Sequence, residues 1–169
     1  MKRYRSDIVF LIDEAVNSRY PYFQRIVTKF LKSAVDLLRH NHKSYRVALL
    51  KYSERPAIVL KLHTAMSSSF TRLKRNIERI AYSGRVSNLD HAFSLVQTKV
   101  LSQSRPDTKK IVFIISDGVN DRSRKAYLHA DSLDKRMGVH INVIGIEPSP
   151  TGQRSVSYTH LTLPTIYSV

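Results

Sequence analysis

Three short apolar runs set the problem that this chain has to solve in folding. Ile8-Val-Phe-Leu-Ile12 and Ile111-Val-Phe-Ile-Ile115 are rich in β-branched residues and contain no polar one, and Val139 to Ile146 is a third β-branched run, interrupted by His140 and Asn142. A strand with apolar side chains pointing both ways must be covered on both faces, which is the condition of a strand inside a parallel sheet. Each run stops at polar residues: Asp13 after the first, Ser116-Asp117-Gly118 after the second, Glu147 after the third.

The cover is written between the runs. Pro21 suits a first helical turn, where its missing N–H costs nothing. Phe23, Ile26, Val27, Phe30, Leu31, Ala34, Leu37 and Leu38 then recur at i, i+3, i+4 spacing, with Arg25, Lys29, Lys32 and Arg39 on the outer side. A second helix is predicted from about Ser69 to Ile80, with Phe70, Leu73, Ile77 and Ile80 inward. A third runs from about Leu89 to Leu101, with Ala92, Phe93, Val96 and Val100 inward. A fourth, weaker one covers about Ala126 to Met137 and can end at Gly138. Tyr45 to Tyr52 and Ala57 to Leu62 read as strands joined by the turn Ser53-Glu-Arg-Pro56, hence a hairpin. The order β, α, ββ, α, α, β, α, β predicts an α/β fold. Its form is three-layered and doubly wound, a mostly parallel sheet with one antiparallel edge strand and helices on both faces.

The chain of 169 residues has a one-domain length. Residues 1–5 read as a basic lead-in, 6–147 as the domain and 148–169 as an irregular tail. The tail holds Pro148, Pro150 and Gly152, has no helical period, and carries no charge beyond Arg154. Three readings are open for it: a short edge strand, a disordered tail, or foreign sequence joined to a module truncated after its fifth strand. The abrupt change of character favours the last.

Charge narrows the partners. Lys plus Arg is 28 and Asp plus Glu is 13, a net charge of +15. Such a surface attracts nucleic acid, sulfated glycans or acidic membranes, unless it is simply a solvated basic surface. The second helix concentrates the charge in Arg72, Lys74, Arg75 and Arg79, with Arg85 beyond it. Positions 72, 75 and 79 fall close to one helical face. Heparan sulfate is expected ahead of nucleic acid, because no helix-turn-helix, zinc finger or RNA-reading aromatic motif is present. No run reaches the roughly 18 apolar residues of a membrane-spanning helix. Cysteine is absent, which excludes disulfides and thiolate metal sites. Met1-Lys-Arg-Tyr-Arg5 leads straight into a strand-like run without a signal peptide. The expectation is an intracellular protein or one module of a longer chain.

In open α/β sheets, ligands bind beyond the carboxyl ends of the strands. Asp13 and Asp117 stand there, and two carboxylates in one crevice suggest a hard cation such as Mg²⁺; taken singly, each is also a plausible helix cap. Asn17, Ser18 and the loop Ser83-Gly-Arg-Val-Ser87-Asn88 offer further hydroxyl and amide oxygens. Enzyme motifs are missing. A phosphatase with an aspartyl nucleophile usually carries a second Asp two residues on, where this chain has Ala15. There is no Gly-x-Ser-x-Gly elbow, phosphate loop, dinucleotide fingerprint or His-Glu-x-x-His. His40 and His42 read as loop residues facing water. No enzyme is expected.

Taken together, these segments resemble a von Willebrand factor A domain. Ser6-Asp-Ile-Val-Phe-Leu-Ile-Asp13 followed by a polar loop and a helix resembles its opening, and Arg46-Val-Ala-Leu-Leu-Lys-Tyr-Ser53 its second strand. Lys109-Lys-Ile-Val-Phe-Ile-Ile-Ser-Asp-Gly118 resembles its fourth strand and Val139-His-Ile-Asn-Val-Ile-Gly-Ile146 its fifth. The likeness is greatest to the A domains repeated in type VI collagen chains. It implies a Rossmann-like fold and a metal-ion-dependent adhesion site of the form Asp-x-Ser-x-Ser, which here reads Asp13-Glu14-Ala15-Val16-Asn17. Ala15 replaces a serine that would be a direct ligand, while the amide oxygen of Asn17 can still coordinate. Matching Ser87-Asn-Leu-Asp-His-Ala-Phe93 to Thr-x-Thr-Gly-x-Ala-Leu places the family's threonine at Ser87, and its Asp before Gly falls at Asp117. The implied site of Asp13, Asn17, Ser87 and Asp117 is degenerate, and holds Mg²⁺ or Mn²⁺ weakly or not at all. The implied function is adhesion or scaffolding in the extracellular matrix, through protein partners such as collagens, as part of a longer secreted chain. Polyanion binding and an intracellular assembly role are the alternatives. The family continues past its fifth strand with a helix, a sixth strand and a last helix. The resemblance therefore predicts an exposed sheet edge and missing core cover here.

Overall fold

β1 (Ser6–Asp13) is buried at every position, and its side chains divide by parity. Val9 and Leu11 enter one apolar cluster, whereas Ile8, Phe10 and Ile12 enter another. That is the period of two expected of a strand with two dry faces. The computed structural model describes residues 5–14, 21–38, 44–62, 69–80, 86–116, 124–146 and 156–160. β1 is central, flanked in parallel by β2 (Tyr45–Tyr52) and β4 (Lys109–Ser116). β3 (Ala57–Leu60) returns antiparallel along β2, as the hairpin pattern predicts, and β5 (Val139–Ile146) lies parallel to β4.

The helices form two outer layers. α1 (Pro21–Leu38) and α2 (Phe70–Glu78) cover one face, where Val27, Leu31, Val35, Leu73 and Ile77 meet Phe10, Ile12 and Leu49. Phe10 and Phe113 stack on that side, with centroids 5.5 Å apart. α3 (Leu89–Leu95) and α4 (Arg124–Met137) cover the other, where Phe93, Ala130 and Leu133 meet Leu11, Leu50 and Val112. Gly138 adopts φ +61° and ends α4, its N–H donating to the Asp134 carbonyl at 2.9 Å. A left-handed residue at a helix end is the position that glycine fills without strain.

Two details depart from the sequence reading. The third helix is regular only to Leu95, then widens into a π-turn over Val96–Val100 and tightens into a 3₁₀ turn over Leu101–Gln103. The hydroxyls of Thr98 and Ser102 bond back to the carbonyls of Ser94 and Thr98 at 2.8 Å, and Val96, Thr98 and Val100 are β-branched. Both features loosen a regular helical ladder. The wider turn still delivers Val96 and Val100 to the core.

The second lies in the tail, for which a short edge strand was one of the three open readings. Val156–His160 forms β6, antiparallel to β5, so the strand order is β3-β2-β1-β4-β5-β6. The sheet does not stop at the fifth strand, its β5 edge is paired, and an antiparallel strand stands at each edge instead of at one. Val-Ser-Tyr-Thr-His alternates larger with hydroxyl-bearing residues and contains no proline, which suits a strand.

At the amino end of β1 sits a buried ion cluster. The Asp7 side chain is fully buried. Arg46 donates to it from Nε at 3.0 Å and Nη2 at 2.7 Å, and Arg105 from Nη2 at 2.9 Å and its backbone N–H at 3.0 Å. The Ser104 hydroxyl adds a bond at 2.7 Å. Arg46 lies opposite Asp7 in the β1–β2 register, and Arg105 also donates to the carbonyls of Ser6 and Ser44. One carboxylate thus fastens β1, β2 and the turn before β4. Burial alone would raise the Asp7 pKa. The bonds from Arg46, Ser104 and the Arg105 backbone outweigh it and hold the carboxyl at about 2, below its ordinary 3.8.

Folded Asp7 binds its proton less tightly than unfolded Asp7, so its contribution is complete above pH 3.8 and is lost as pH falls towards about 2. Its size is roughly 2 kcal/mol. Asp7→Asn should cost about 3 kcal/mol in urea unfolding at neutral pH, because two guanidiniums lose their counter-charge. It should also flatten the stability profile across that acid window. An unchanged acid limb would show that Asp7 is not the titrating group.

Candidate functional site

Eight polar or charged residues are buried among those described, and they sort to the two ends of the central strands. Ser6, Asp7 and Thr108 lie at the amino end. Asp13, Glu14, Ser53, Ser87 and Ser116 lie at the carboxyl end, where the fold class places ligands.

Asp13 is the last residue of β1, with a relative exposure of 1%. Its Oδ1 accepts from the Ser87 hydroxyl at 2.7 Å, and its Oδ2 accepts from the Ser116 hydroxyl at 2.7 Å. An ionised carboxylate only accepts, so both hydroxyl protons must point at Asp13. That leaves lone pairs, not protons, on the remaining sides of Oγ. Burying the carboxylate without such donors would be costly.

Register brings these groups together. In the β1–β4 pair, Ile12 lies opposite Ile115, so the next residues, Asp13 and Ser116, are neighbours. Ser87 arrives from the loop before α3. Asn88 caps that helix, its Oδ1 accepting from the His91 N–H at 3.2 Å, and its own N–H donates to the Ser53 carbonyl at 2.9 Å. The Glu14 N–H donates to the Tyr52 carbonyl at 2.8 Å. Its carboxylate accepts from the Ser53 hydroxyl at 2.7 Å and pairs with the Lys51 ammonium at 2.8 Å. The residue after Asp13 is therefore tied to the end of β2 by main chain and side chain. Beside Ser87, Val86 is exposed to 68%, a large apolar side chain in water next to a buried polar cluster.

Of the residues expected from sequence, Asp13 and Ser87 are brought into direct contact. Asn17, Asp117 and Arg85 lie outside the described residues. Arg72, Lys74 and Arg75 lie on α2 and Arg79 is its C-cap, on the helical layer rather than in the Asp13 cluster. Arg72, Arg75 and Arg79 are exposed, while Lys74 pairs with Asp36 of α1 at 2.6 Å. Sequence reasoning did not single out Ser116 or the Glu14–Ser53–Lys51 group. Parallel registration of the two apolar runs was the signal that would have paired Ser116 with Asp13.

The donors fit a hard divalent cation in kind, since carboxylate and hydroxyl oxygens are what Mg²⁺ and Mn²⁺ take. They are few. Among the described residues no group of three or more His, Asp or Glu side chains converges, and Ala15 carries no donor.

Ser87→Ala and Ser116→Ala each strip one oxygen of a buried carboxylate of its donor. Each should cost about 1–3 kcal/mol in urea unfolding. The double variant should depart from additivity, because both hydroxyls serve the same group. Additive losses would mean that the two contacts are independent of Asp13.

Comparison with known proteins agrees with this arrangement. The sequence profile of the von Willebrand factor type A domain matches residues 7–162. The collagen alpha-4(VI) chain of Mus musculus is 34% identical over 80 residues, which are 47% of this chain and 3% of that protein. Integrin alpha-2 of Bos taurus is 26% identical over 132 residues, 76% of this chain and 11% of that protein. The chain thus spans a small part of these curated relatives. Among solved structures, the manganese-loaded TRAP protein of Plasmodium vivax superposes with a TM-score of 0.76 at 18% identity, over 88% of this chain and 60% of that one. The match to the family profile, over most of the chain and across the whole sheet, shows that this protein belongs to the von Willebrand factor type A domain family.

Proposed function

We propose that this chain is an adhesion or scaffold module of the extracellular matrix, which binds protein partners such as collagens through the carboxyl end of its sheet. The observation that carries the reading is the buried Asp13 held by the Ser87 and Ser116 hydroxyls, with exposed Val86 at its rim. Val86 lies exposed at the carboxyl end of the sheet, where ligands of open α/β folds bind, and this supports a contact surface there. Kinship with a type VI collagen chain and an integrin chain supports the matrix setting. No helix among the described residues is long and apolar enough to cross a membrane.

The metal part of the site is degenerate in this reading. Asp13, Ser87 and Ser116 would hold a cation, joined by Asn17 and Asp117 from their sequence positions. A bound cation would supply a positive charge for an acidic group of the partner. Ala15 withholds one ligand, so Mg²⁺ or Mn²⁺ binds weakly, and contact with the partner rests on ordinary polar and apolar interactions. The role is one of binding rather than catalysis.

The test is binding of the whole chain to immobilised collagens, in Mg²⁺ and in EDTA. Affinity should agree within about threefold between the two buffers, a difference below 1 kcal/mol. Val86→Asp should weaken binding at least about tenfold, with the fold intact by circular dichroism. Binding that vanishes in EDTA would restore metal-bridged adhesion, and indifference to Val86→Asp would remove the carboxyl end as the contact surface.

A further inference from the structure

We infer that His129 of α4 and Asp90 of α3 form a proton-operated clasp on the segment that carries Val86 and Ser87. His129 Nε2 stands 3.1 Å from Asp90 Oδ1, with side-chain exposures of 36% and 19%. The helices that bear them pack through Ala92 and Phe93 of α3 and Ala126, Ala130 and Leu133 of α4. Asp90 Oδ1 is shut off from water, yet it accepts no hydrogen bond among the described residues. A buried carboxylate oxygen in that state costs stability, and a positive charge beside it offsets the cost. A neutral imidazole supplies none. Its Nε2 carries either a lone pair, which the carboxylate repels, or an N–H, and no aligned hydrogen bond forms here. Protonation puts the charge on the ring, and imidazole is the side chain whose ordinary titration falls between about pH 5 and 8. The contact therefore stabilises in mild acid and fades as pH rises.

The clasp closes beside the Asp13 cluster. Asp90 lies in the first turn of α3, just after the Asn88 cap. The Asn88 N–H donates to the Ser53 carbonyl at 2.9 Å, and the Ser87 hydroxyl donates to Asp13 at 2.7 Å. Fixing Asp90 to α4 steadies the turn from which Ser87 reaches Asp13, and with it the neighbouring Val86. A partner that covers Val86, in the reading above, meets a segment held in acid and looser above it, while the clasp itself needs no partner.

Few other charges face His129. From α3 comes Asp90, and the next residue, His91, has its Nδ1 at 3.0 Å from the Asn88 side-chain amide. On α4, Lys125 stands one turn before His129 with its side chain outside the described residues, and Asp131 pairs with Lys135 at 2.8 Å. Asp134 and Arg136 follow towards the far end of that helix. From the sheet, His140 is the second residue of β5, at the amino end, and Lys110 of β4 donates to the Met137 carbonyl at 3.4 Å.

The experiment is a double-mutant cycle in urea unfolding of the whole chain. It uses wild type, His129→Gln, Asp90→Asn and the double variant, with folding checked by circular dichroism. The effects of every other titrating group cancel in the cycle. The pair should multiply the folding equilibrium constant about threefold or more at about pH 5.5, and less than about 1.5-fold at about pH 8. Amide exchange at Asn88 and His91 is compared between wild type and His129→Gln at each pH. It should be at least about threefold faster in the variant in acid, and equal within about 1.5-fold at the higher pH. His91→Gln should leave the coupling in place. Equal coupling at both pH values, or none in acid, would overturn the clasp. Coupling lost in His91→Gln would assign the effect to the Asn88–His91 contact instead. Acid coupling without a change in exchange would overturn the hold on the Ser87 turn.

Discussion

β1 carries a buried carboxylate at each end, and the central sheet is arranged to satisfy both. Neither Asp7 nor Asp13 can stay ionised in a dry interior without donors, so each fixes the strands and turns that supply them. Asp7 is met by two guanidiniums, a hydroxyl and a backbone N–H, which lock the amino ends of β1 and β2 to the turn before β4. Asp13 is met by two serine hydroxyls, one from the end of β4 and one from the loop before α3. The apolar faces of β1 hold the layers together without choosing between registers as sharply. A slip of one residue would break both carboxylate clusters at once and turn every core side chain to the wrong face.

The two ends are made differently, and this separates structure from function. A carboxylate gripped by arginines is a fastening, with its pKa drawn down to about 2. A carboxylate held by hydroxyls keeps oxygen lone pairs on its donors, and this is the chemistry of a weak cation site or of a polar contact surface. In the proposed reading Ala15, which carries no donor, tips the balance away from the ion. The helical layer over α1 and α2 belongs to neither end, and its ion pairs Lys32–Glu78 and Lys74–Asp36 join the two helices to each other.

Much of this was legible before any coordinates. The runs at Ile8–Ile12 and Ile111–Ile115 announced strands with two dry faces, and the spacing of Val27, Leu31, Leu73 and Ile77 announced the helices that cover one of them. Asp13 and Ser87 were recognisable as a pair from family-like spacing. Other features were hidden for physical reasons. Ser116 reaches Asp13 only through strand register, which a linear pattern does not carry. Asp7 looked like any polar residue before a strand, because its partners Arg46 and Arg105 lie 39 and 98 positions away. The π-turn after Leu95 keeps the same inward residues as a regular helix, so apolar periodicity could not report it. β6 is five residues of mixed polarity, so the sequence could offer an edge strand only as one reading of the tail, and pairing with β5 defines it. Lys74 counted as a free charge in the sequence and turned out to be bound to Asp36.

The central claim is that the fold and its buried aspartate were kept while the cation site was weakened. Calorimetric titration of the whole chain with Mn²⁺ and Mg²⁺, with Asp117→Ala as the control, addresses it directly. The account predicts no saturable heat below about 1 mM ion, the range in which a site with too few ligands stops competing with water. Saturable binding in the micromolar range that disappears in Asp117→Ala would contradict it, and would return metal-dependent adhesion to this protein.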